Sequence, residues 1–158
     1  MDDRTEMINW LFHSNHSGET NKRNLIDFML GDYIGAGCER RVFEYGLDYR
    51  HDYVVKIEQS PRANVLEYEI WQEVKDKPQH SKWFAPVVRL SNCGSFLIME
   101  RTRPMSPNEF PAYIPSYMAD THQHNWGLID NKPVAHDYAN NNIFTKGLNN
   151  RLVKAKFT

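Results

Sequence analysis

The order of short β-type segments along the chain constrains its fold more than any other feature. From Gly31 onward, three stretches rich in β-branched and aromatic residues follow one another, each bounded by glycine or by an Asp-rich turn. Because the turns between them are short, these stretches predict antiparallel strands that pair in sequence order. The predicted strands are Tyr33–Ile34, Arg41–Tyr45 and Tyr53–Ile57.

A helix and two further strands are predicted after this meander. Ser60 is suited to be the N-cap, and Pro61 the first residue, of a helix that continues to about Lys75. Two apolar segments, near Ala85–Leu90 and Ser95–Arg101, predict the fourth and fifth strands. The sequence therefore predicts an α+β domain built on a five-stranded antiparallel sheet with one helix.

The flanking regions predict smaller structures. Residues 4–30 contain two short helical segments separated by polar, turn-forming residues. Four prolines between Arg103 and Pro115 exclude a long helix there, and Asp130–Lys132 predicts the turn of a hairpin. The predicted division is a helical extension (1–30), a sheet-containing lobe (31–102) and a small C-terminal lobe (103–158).

The composition excludes several classes of function. The 158 residues carry 19 basic and 20 acidic side chains, so no overall field attracts nucleic acid or an anionic membrane. The longest uninterrupted apolar runs are only about as long as Phe96–Met99, whereas a membrane span needs about 20 residues. The first residues also lack the basic and apolar regions of a secretion signal. These features predict a cytoplasmic protein that binds neither nucleic acid nor membrane.

Three residues in the first predicted turn favour a phosphate site. Gly35, Ala36 and Gly37 stand between two strands, and glycine lets a backbone come close to a ligand and turn its N–H groups toward phosphate oxygens. A hairpin turn without a ligand is the alternative, because two glycines between strands also serve that purpose.

A lysine and a glutamate strengthen the phosphate hypothesis. Strand alternation places Lys56 on the face opposite Val55, and helical periodicity places Glu67 in the middle of the apolar stripe of the following helix. A carboxylate buried there needs a cation, and Lys56 on the preceding strand is the natural partner. The alternative is a rotated or frayed helix in which Glu67 reaches water.

A third group of residues predicts a divalent cation site. Asp120 precedes Asn125 by five residues, and Asp137 follows Asn125 by twelve, beyond the predicted hairpin. Side chains that offer only oxygen are the ligands that Mg²⁺ prefers, so these residues suit one magnesium ion. Turn formation is the alternative, because Asp and Asn are common in loops for that reason alone.

Taken in order, these motifs resemble the protein-kinase-like fold, in a style similar to small phage-encoded kinases and aminoglycoside phosphotransferases. Asp120 and Asn125 keep the spacing of the catalytic-loop Asp and Asn, and Asp137–Ala139 stands where the metal-binding Asp-Phe-Gly lies. The other matches are Gly35–Val42 to the glycine-rich loop, Val54–Lys56 to the lysine strand, Glu67 to the helix glutamate, and Leu97–Arg101 to the strand before the hinge.

The resemblance implies a compact phosphotransferase that uses ATP and Mg²⁺ to phosphorylate a hydroxyl acceptor on a protein. It implies that Asp120 orients or deprotonates the acceptor, and that Asn125 and Asp137 hold Mg²⁺. Lys56, held by Glu67, would bind the phosphates and complete the catalytic set. The implied nucleotide-binding residues are Gly35, Ala36, Gly37, Val42, Lys56, Met99 and Glu100.

The chain also departs from the family pattern. Met118–Ala119 replaces the catalytic-loop His-Arg, and Ala139 replaces the glycine of Asp-Phe-Gly. Only nineteen positions separate Arg101 from Asp120, where the family places two helices, so the C-terminal lobe is expected to be much reduced. The alternative function is therefore a catalytically inactive, pseudokinase-like phage product that binds and inhibits a host protein in the host cytoplasm. A homodimer is a further expectation, in which a second copy supplies the missing surface.

Overall fold

The computed structural model describes residues 26–37, 40–60 and 62–158. The predicted helical extension over residues 1–30 therefore lies outside the described residues, apart from its last five positions. No helix within the described part of the chain is long and apolar enough to cross a membrane.

The fold is α+β, with a five-stranded antiparallel sheet, as predicted. The strand order is β1-β2-β3-β5-β4, so β1 and β4 are the two edges and the first three strands form the predicted meander. The side-chain alternation and the turn residues in the sequence predicted the position of each strand to within a few residues. The strands are β1 (Leu30–Ala36), β2 (Arg40–Tyr45), β3 (Tyr53–Glu58), β4 (Val87–Leu90) and β5 (Phe96–Glu100).

The main helix, α1 (Ala63–Val74), begins later than predicted and has a different cap. The prediction of a Ser60 cap was wrong, because the carboxylate of Glu58 accepts the N–H groups of Ala63 (3.1 Å) and Asn64 (2.9 Å). A carboxylate suits this end of a helix, where N–H groups lack partners and the helix dipole is positive. Pro61 lies outside the described residues. Two shorter helices are α2 (Pro78–Ser81) and α3 (Ile143–Lys146).

Two small antiparallel pairs complete the strands. The predicted hairpin is confirmed as β7 (Trp126–Ile129) and β8 (Lys132–Ala135), with Asp130 and Asn131 at φ 49° and 61° in its turn. A two-residue turn in which both residues have positive φ matches the twist of the paired strands. The other pair, β6 (Tyr113–Pro115) with β9 (Leu152–Lys154), was not predicted. The prolines before it leave only a 3₁₀ turn, Pro107–Glu109, in agreement with the prediction.

Internal contacts divide the chain into two compact units. The first contains the described residues up to Asn64 together with Val88–Met99, and the second contains Val65–Val87 and Glu100–Thr158. The predicted lobe boundary at residue 102 stays a prediction, since it was drawn from sequence order alone.

The first unit packs its core on one face of the sheet. Met29, Tyr45, Leu47, Val55 and Ile98 form a buried cluster, with further apolar side chains packed against it. Because side chains alternate along a strand, the neighbours of Val55 project from the opposite face of β3. Those neighbours are Val54 and Lys56, and both are buried.

The second unit has an aromatic core that includes one histidine. The ring of Phe84 stacks on Tyr117 (centroids 6.4 Å apart) and meets Tyr138 edge-on at 4.9 Å. The Tyr117 hydroxyl lies 2.9 Å from Nδ1 of His80, and all four side chains are buried. Burial raises the pKa of Tyr117, while burial and the charges of Lys77 and Lys82 lower the pKa of His80. This polar pair is therefore held in its uncharged form.

Candidate functional site

In the first unit, three of the predicted nucleotide-binding residues lie in one row across the sheet. Gly35 of β1 pairs with Val42 of β2, and Val42 pairs with Lys56 of β3. Residues directly opposite one another in adjacent strands present their side chains on the same face. The pairing therefore brings together Val42, Lys56 and Gly35, which lies within β1 and not in the turn where the sequence placed it.

The glycines of the β1–β2 turn are not explained by packing. A methyl group added at Gly35 or Gly37 would meet no described atom within 4 Å, and neither residue has positive φ. One feature differs from expectation: the N–H of Gly37 donates to the carbonyl of Arg40 (2.9 Å), so it closes the hairpin instead of facing outward. Ala36 lies at the exposed end of β1. The role of this turn in phosphate binding stays a prediction.

Lys56 and Glu67 are both buried, as the sequence predicted. Lys56 is 4% exposed and Glu67 is 0% exposed, which excludes the alternative that Glu67 reaches water. The helical stripe is also confirmed, because Ile70 and Val74 are buried while Glu69 and Glu73 are exposed. The predicted ion pair between Lys56 and Glu67 stays a prediction.

Within the second unit, Glu67 holds the segment that follows Asp137. Its Oε1 accepts the backbone N–H of Tyr138 at 3.1 Å, although the two residues are 71 positions apart. The same tyrosine is anchored at its other end, where its hydroxyl donates to the carbonyl of Ala85 (3.0 Å). Tyr138 is thus bonded through both its backbone N–H and its side-chain hydroxyl, and these two bonds fix the segment Asp137–Ala139.

The predicted magnesium ligands are neighbours in the second unit. The backbone carbonyl of Asn125 accepts the N–H groups of His136 (2.8 Å) and Asp137 (3.2 Å). Asn125 ends a 3₁₀ turn that begins at Gln123, so the loop reaches Asp137 through its own backbone. The β7–β8 hairpin therefore brings Asn125 and Asp137 together, although they lie twelve positions apart in the sequence.

Asp120 stands at the start of the same loop. Its Oδ1 accepts the N–H of His122 at 3.1 Å, and its carbonyl accepts the indole N–H of Trp126 at 3.3 Å. Trp126 is buried, so the loop is tied to the core of the unit through one large side chain. The bond to His122 restrains the Asp120 carboxylate, and the bond to Trp126 restrains the Asp120 backbone.

His136 was not among the predicted site residues, yet it links three parts of the second unit. Its Nε2 lies 2.8 Å from the carbonyl of His124, and its Nδ1 lies 2.7 Å from Oγ1 of Thr102. A carbonyl can only accept, so Nε2 carries a hydrogen, and in the neutral ring Nδ1 then accepts the Thr102 hydroxyl. Its position next to Asp137 was the one signal in the sequence that could have drawn attention to it.

Residues near the end of the sequence also brace this loop. Thr121 Oγ1 donates to the carbonyl of Lys156 (2.8 Å), and the N–H of Gln123 donates to the carbonyl of Thr158 (3.0 Å). In return, the N–H of Thr158 donates to the carbonyl of Thr121 (3.2 Å). The loop that carries Asp120 is therefore paired along its length and does not hang free.

Two further residues of the implied nucleotide-binding set, Met99 and Glu100, lie at the end of β5. Met99 is fully buried, and Glu100 is partly exposed. The N–H of Glu100 donates to the carbonyl of Pro86 at 2.9 Å, so this donor is used by the protein itself. Contact of either residue with a nucleotide stays a prediction.

The donor set in the second unit suits a hard cation that takes few protein ligands. Over the described residues there is no group of three or more His, Cys, Asp and Glu side chains that could hold a metal ion. Asp137 and Asn125 offer oxygen only, which fits Mg²⁺, an ion that commonly takes one or two protein ligands and completes its shell with phosphates and water.

Comparison with known proteins gives little further information. No protein-family model matches the chain, and no curated protein does. The chain is similar to the solved structure of the streptomycin–ATP–APH(2")-IIa ternary complex, at 17% sequence identity and a TM-score of 0.38. The match covers 61% of this chain and 36% of the other, so the chain spans about a third of that protein. A likeness at this level does not establish the fold.

Proposed function

We propose that this protein is a compact, kinase-like phosphotransferase that binds ATP with Mg²⁺ and transfers a phosphoryl group to a hydroxyl acceptor. The observation that carries the proposal is the backbone contact of Asn125 with Asp137, on a loop that begins with Asp120. Phosphoryl transfer needs mainly positioning and charge neutralisation, so three oxygen-bearing side chains on restrained backbone segments suit it.

Asn125 and Asp137 are the proposed ligands of Mg²⁺. When bound, the ion neutralises phosphate charge, and the protein has to hold its two ligands at a constant separation. The hydrogen bond from the Asp137 N–H to the Asn125 carbonyl (3.2 Å) does this for the backbones. Glu67 adds a second restraint through the N–H of Tyr138.

Asp120 is proposed to orient the acceptor hydroxyl and take up its proton. Its Oδ1 accepts the N–H of His122, which restrains the carboxylate. A hydrogen bond to one carboxylate oxygen leaves the other oxygen's lone pairs for the acceptor.

Lys56 and the turn at Gly35–Gly37, in the first unit, are proposed as phosphate contacts. The support is the row formed by Gly35, Val42 and Lys56, together with two glycines that neither packing nor φ requires. A strand glycine weakens its strand and often marks a place where a ligand approaches the backbone.

The proposal is tested by measuring the melting temperature and the binding heat with ATP, with and without Mg²⁺. A site saturated a hundredfold above its Kd stabilises the folded state by about 2.7 kcal/mol, which gives a clear shift. Asp137→Asn should abolish the Mg²⁺-dependent part of the shift. Asp130→Asn is the matched control, because Asp130 is an exposed turn residue whose positive φ asparagine also adopts.

Transfer is tested separately with Asp120→Asn. This variant should bind Mg·ATP as the unchanged protein does, and should fail to move labelled phosphate from ATP to the protein itself or to water. If ATP gives no shift at millimolar concentration, the proposal is refuted. If the unchanged protein binds Mg·ATP without any transfer, the pseudokinase-like alternative is favoured.

A further inference from the structure

We propose that His136 is a positioning residue for the magnesium ligands. This inference rests on the proposed function, because it concerns the loop from Asp120 to Asn125 and its relation to Asp137. His136 stands directly before Asp137, and its imidazole bonds to the residue directly before Asn125.

The imidazole acts as a bridge with both nitrogens in use. Nε2 donates to the carbonyl of His124 (2.8 Å), and Nδ1 forms a hydrogen bond with the hydroxyl of Thr102 (2.7 Å). Both distances are short for hydrogen bonds that involve a ring nitrogen. The ring therefore fixes the peptide that joins His124 to Asn125, and it does so from a part of the chain outside the loop.

Thr102 is itself held firmly enough to serve as the anchor. The next residue, Arg103, exchanges two backbone hydrogen bonds with Leu128 of β7, at 3.0 and 2.9 Å. Thr102 also lies so close to Gly127 that a Cβ there would come within 2.3 Å of Thr102 Oγ1. A side chain at position 127 would therefore displace the Thr102 hydroxyl, so the contact requires glycine.

Backbone bonds restrain Asn125 through its own carbonyl and N–H groups. The carbonyl accepts the N–H groups of His136 and Asp137, and the N–H donates to the carbonyl of His122 at 3.0 Å within the 3₁₀ turn. The bond from Nε2 of His136 to the His124 carbonyl adds a restraint on this peptide from a side chain outside the loop. Loss of the imidazole should therefore change the direction of the Asn125 side chain without unfolding the unit.

The test compares His136→Leu and His136→Gln by the affinity of the protein for ATP with and without Mg²⁺. His136→Leu should weaken Mg·ATP binding by about tenfold to a hundredfold, as outer-shell changes at metal sites do, and leave Mg²⁺-free ATP binding unchanged. His136→Gln can place an N–H near the His124 carbonyl, so it should recover most of the loss. His124→Ala is the matched control, because it removes a neighbouring imidazole but keeps the carbonyl.

Two results would overturn the inference while the proposed function stands. One is unchanged Mg·ATP affinity in a folded His136→Leu protein, and the other is an equal loss with and without Mg²⁺. The hydrogen bonds are tested independently by ¹⁵N NMR of the unliganded protein, where His136 should carry its hydrogen on Nε2. A hydrogen on Nδ1 alone would refute the bridge even if His136→Leu failed to fold. If the unchanged protein binds no Mg·ATP, the proposed function itself is overturned.

Discussion

The cap of helix α1 by Glu58 gives a stability prediction that can be worked out from the contacts. Glu58 is 2% exposed, and its two carboxylate oxygens accept the N–H groups of Ala63 and Asn64 at 3.1 and 2.9 Å. Replacing it by alanine removes both acceptors at once. The Asn64 N–H is buried and cannot turn to water, whereas the Ala63 N–H is partly exposed.

The two lost bonds differ in cost for this reason. A hydrogen bond to a charged group contributes about 1.5–3 kcal/mol, and a buried donor left without a partner costs about 1–3 kcal/mol. Water can replace most of the bond at Ala63, so the lost bond at Asn64 should account for most of the destabilisation. Glu58→Ala is therefore expected to lower the free energy of unfolding by about 2–4 kcal/mol. Glu58→Gln keeps one acceptor oxygen, so its free energy of unfolding should lie between those of the unchanged protein and Glu58→Ala.

The assay is urea unfolding, with native-state hydrogen exchange of the Asn64 amide as a local measurement. Glu69→Ala is the matched control, because Glu69 is an exposed glutamate of the same helix and its loss should change stability by about 0.5 kcal/mol at most. The reasoning is refuted if Glu58→Ala and Glu69→Ala unfold at the same urea concentration. It is also refuted if the Asn64 amide exchanges no faster in Glu58→Ala.

Two further predictions concern the core of the second unit. Because burial and two lysines lower the pKa of His80, the unfolded chain takes up a proton first, so stability should fall as pH drops below about 6.5, by at most about 1.4 kcal/mol per pH unit. Urea midpoints from pH 7.5 down to 5 should show this slope in the unchanged protein, and His80→Gln, which does not titrate there, should flatten it. Gly127→Ala places a Cβ 2.3 Å from Thr102 Oγ1 and 2.9 Å from the Arg103 carbonyl, so it should cost about 1–3 kcal/mol by overpacking. Its melting temperature should fall by about 2–4 °C for each kcal/mol, while Gly35→Ala, at a site with open space, should melt like the unchanged protein; equal melting of the two variants would contradict the packing argument.

Much of the sheet could be predicted because its information is local. Alternation and turn residues are properties of neighbouring positions, and they placed β1, β2, β3 and β5 within a few residues. The burial of Glu67 was also predictable, since a helical period shows which residues share the apolar face. A carboxylate in the middle of that face was an anomaly visible in the sequence.

The helix cap shows where such local patterns fail. Ser60 and Pro61 match the preferences for the start of a helix, but Glu58 takes the cap from the preceding strand. Glu58 lies two residues beyond Lys56 on the same face of β3, where its side chain is buried next to the helix start. The longer side chain reaches two N–H groups at once, so tertiary placement outweighed the propensity of a nearby serine.

The loop from Asp120 to Asn125 combines local turn bonds with contacts that no local pattern contains. The ring of Phe157 packs edge-on against Trp126 at 5.3 Å, beside the hydrogen bonds that join residues 156–158 to residues 121–123. A short polar loop has many conformations of similar energy, and fixing one of them costs roughly 1–2 kcal/mol per residue in backbone entropy. Contacts from distant parts of the chain have to offset that cost: Phe157 from one side, and His136 with Thr102 from the other. These restraints converge on the segment that carries Asp120 and Asn125, and these two residues are therefore the first to test.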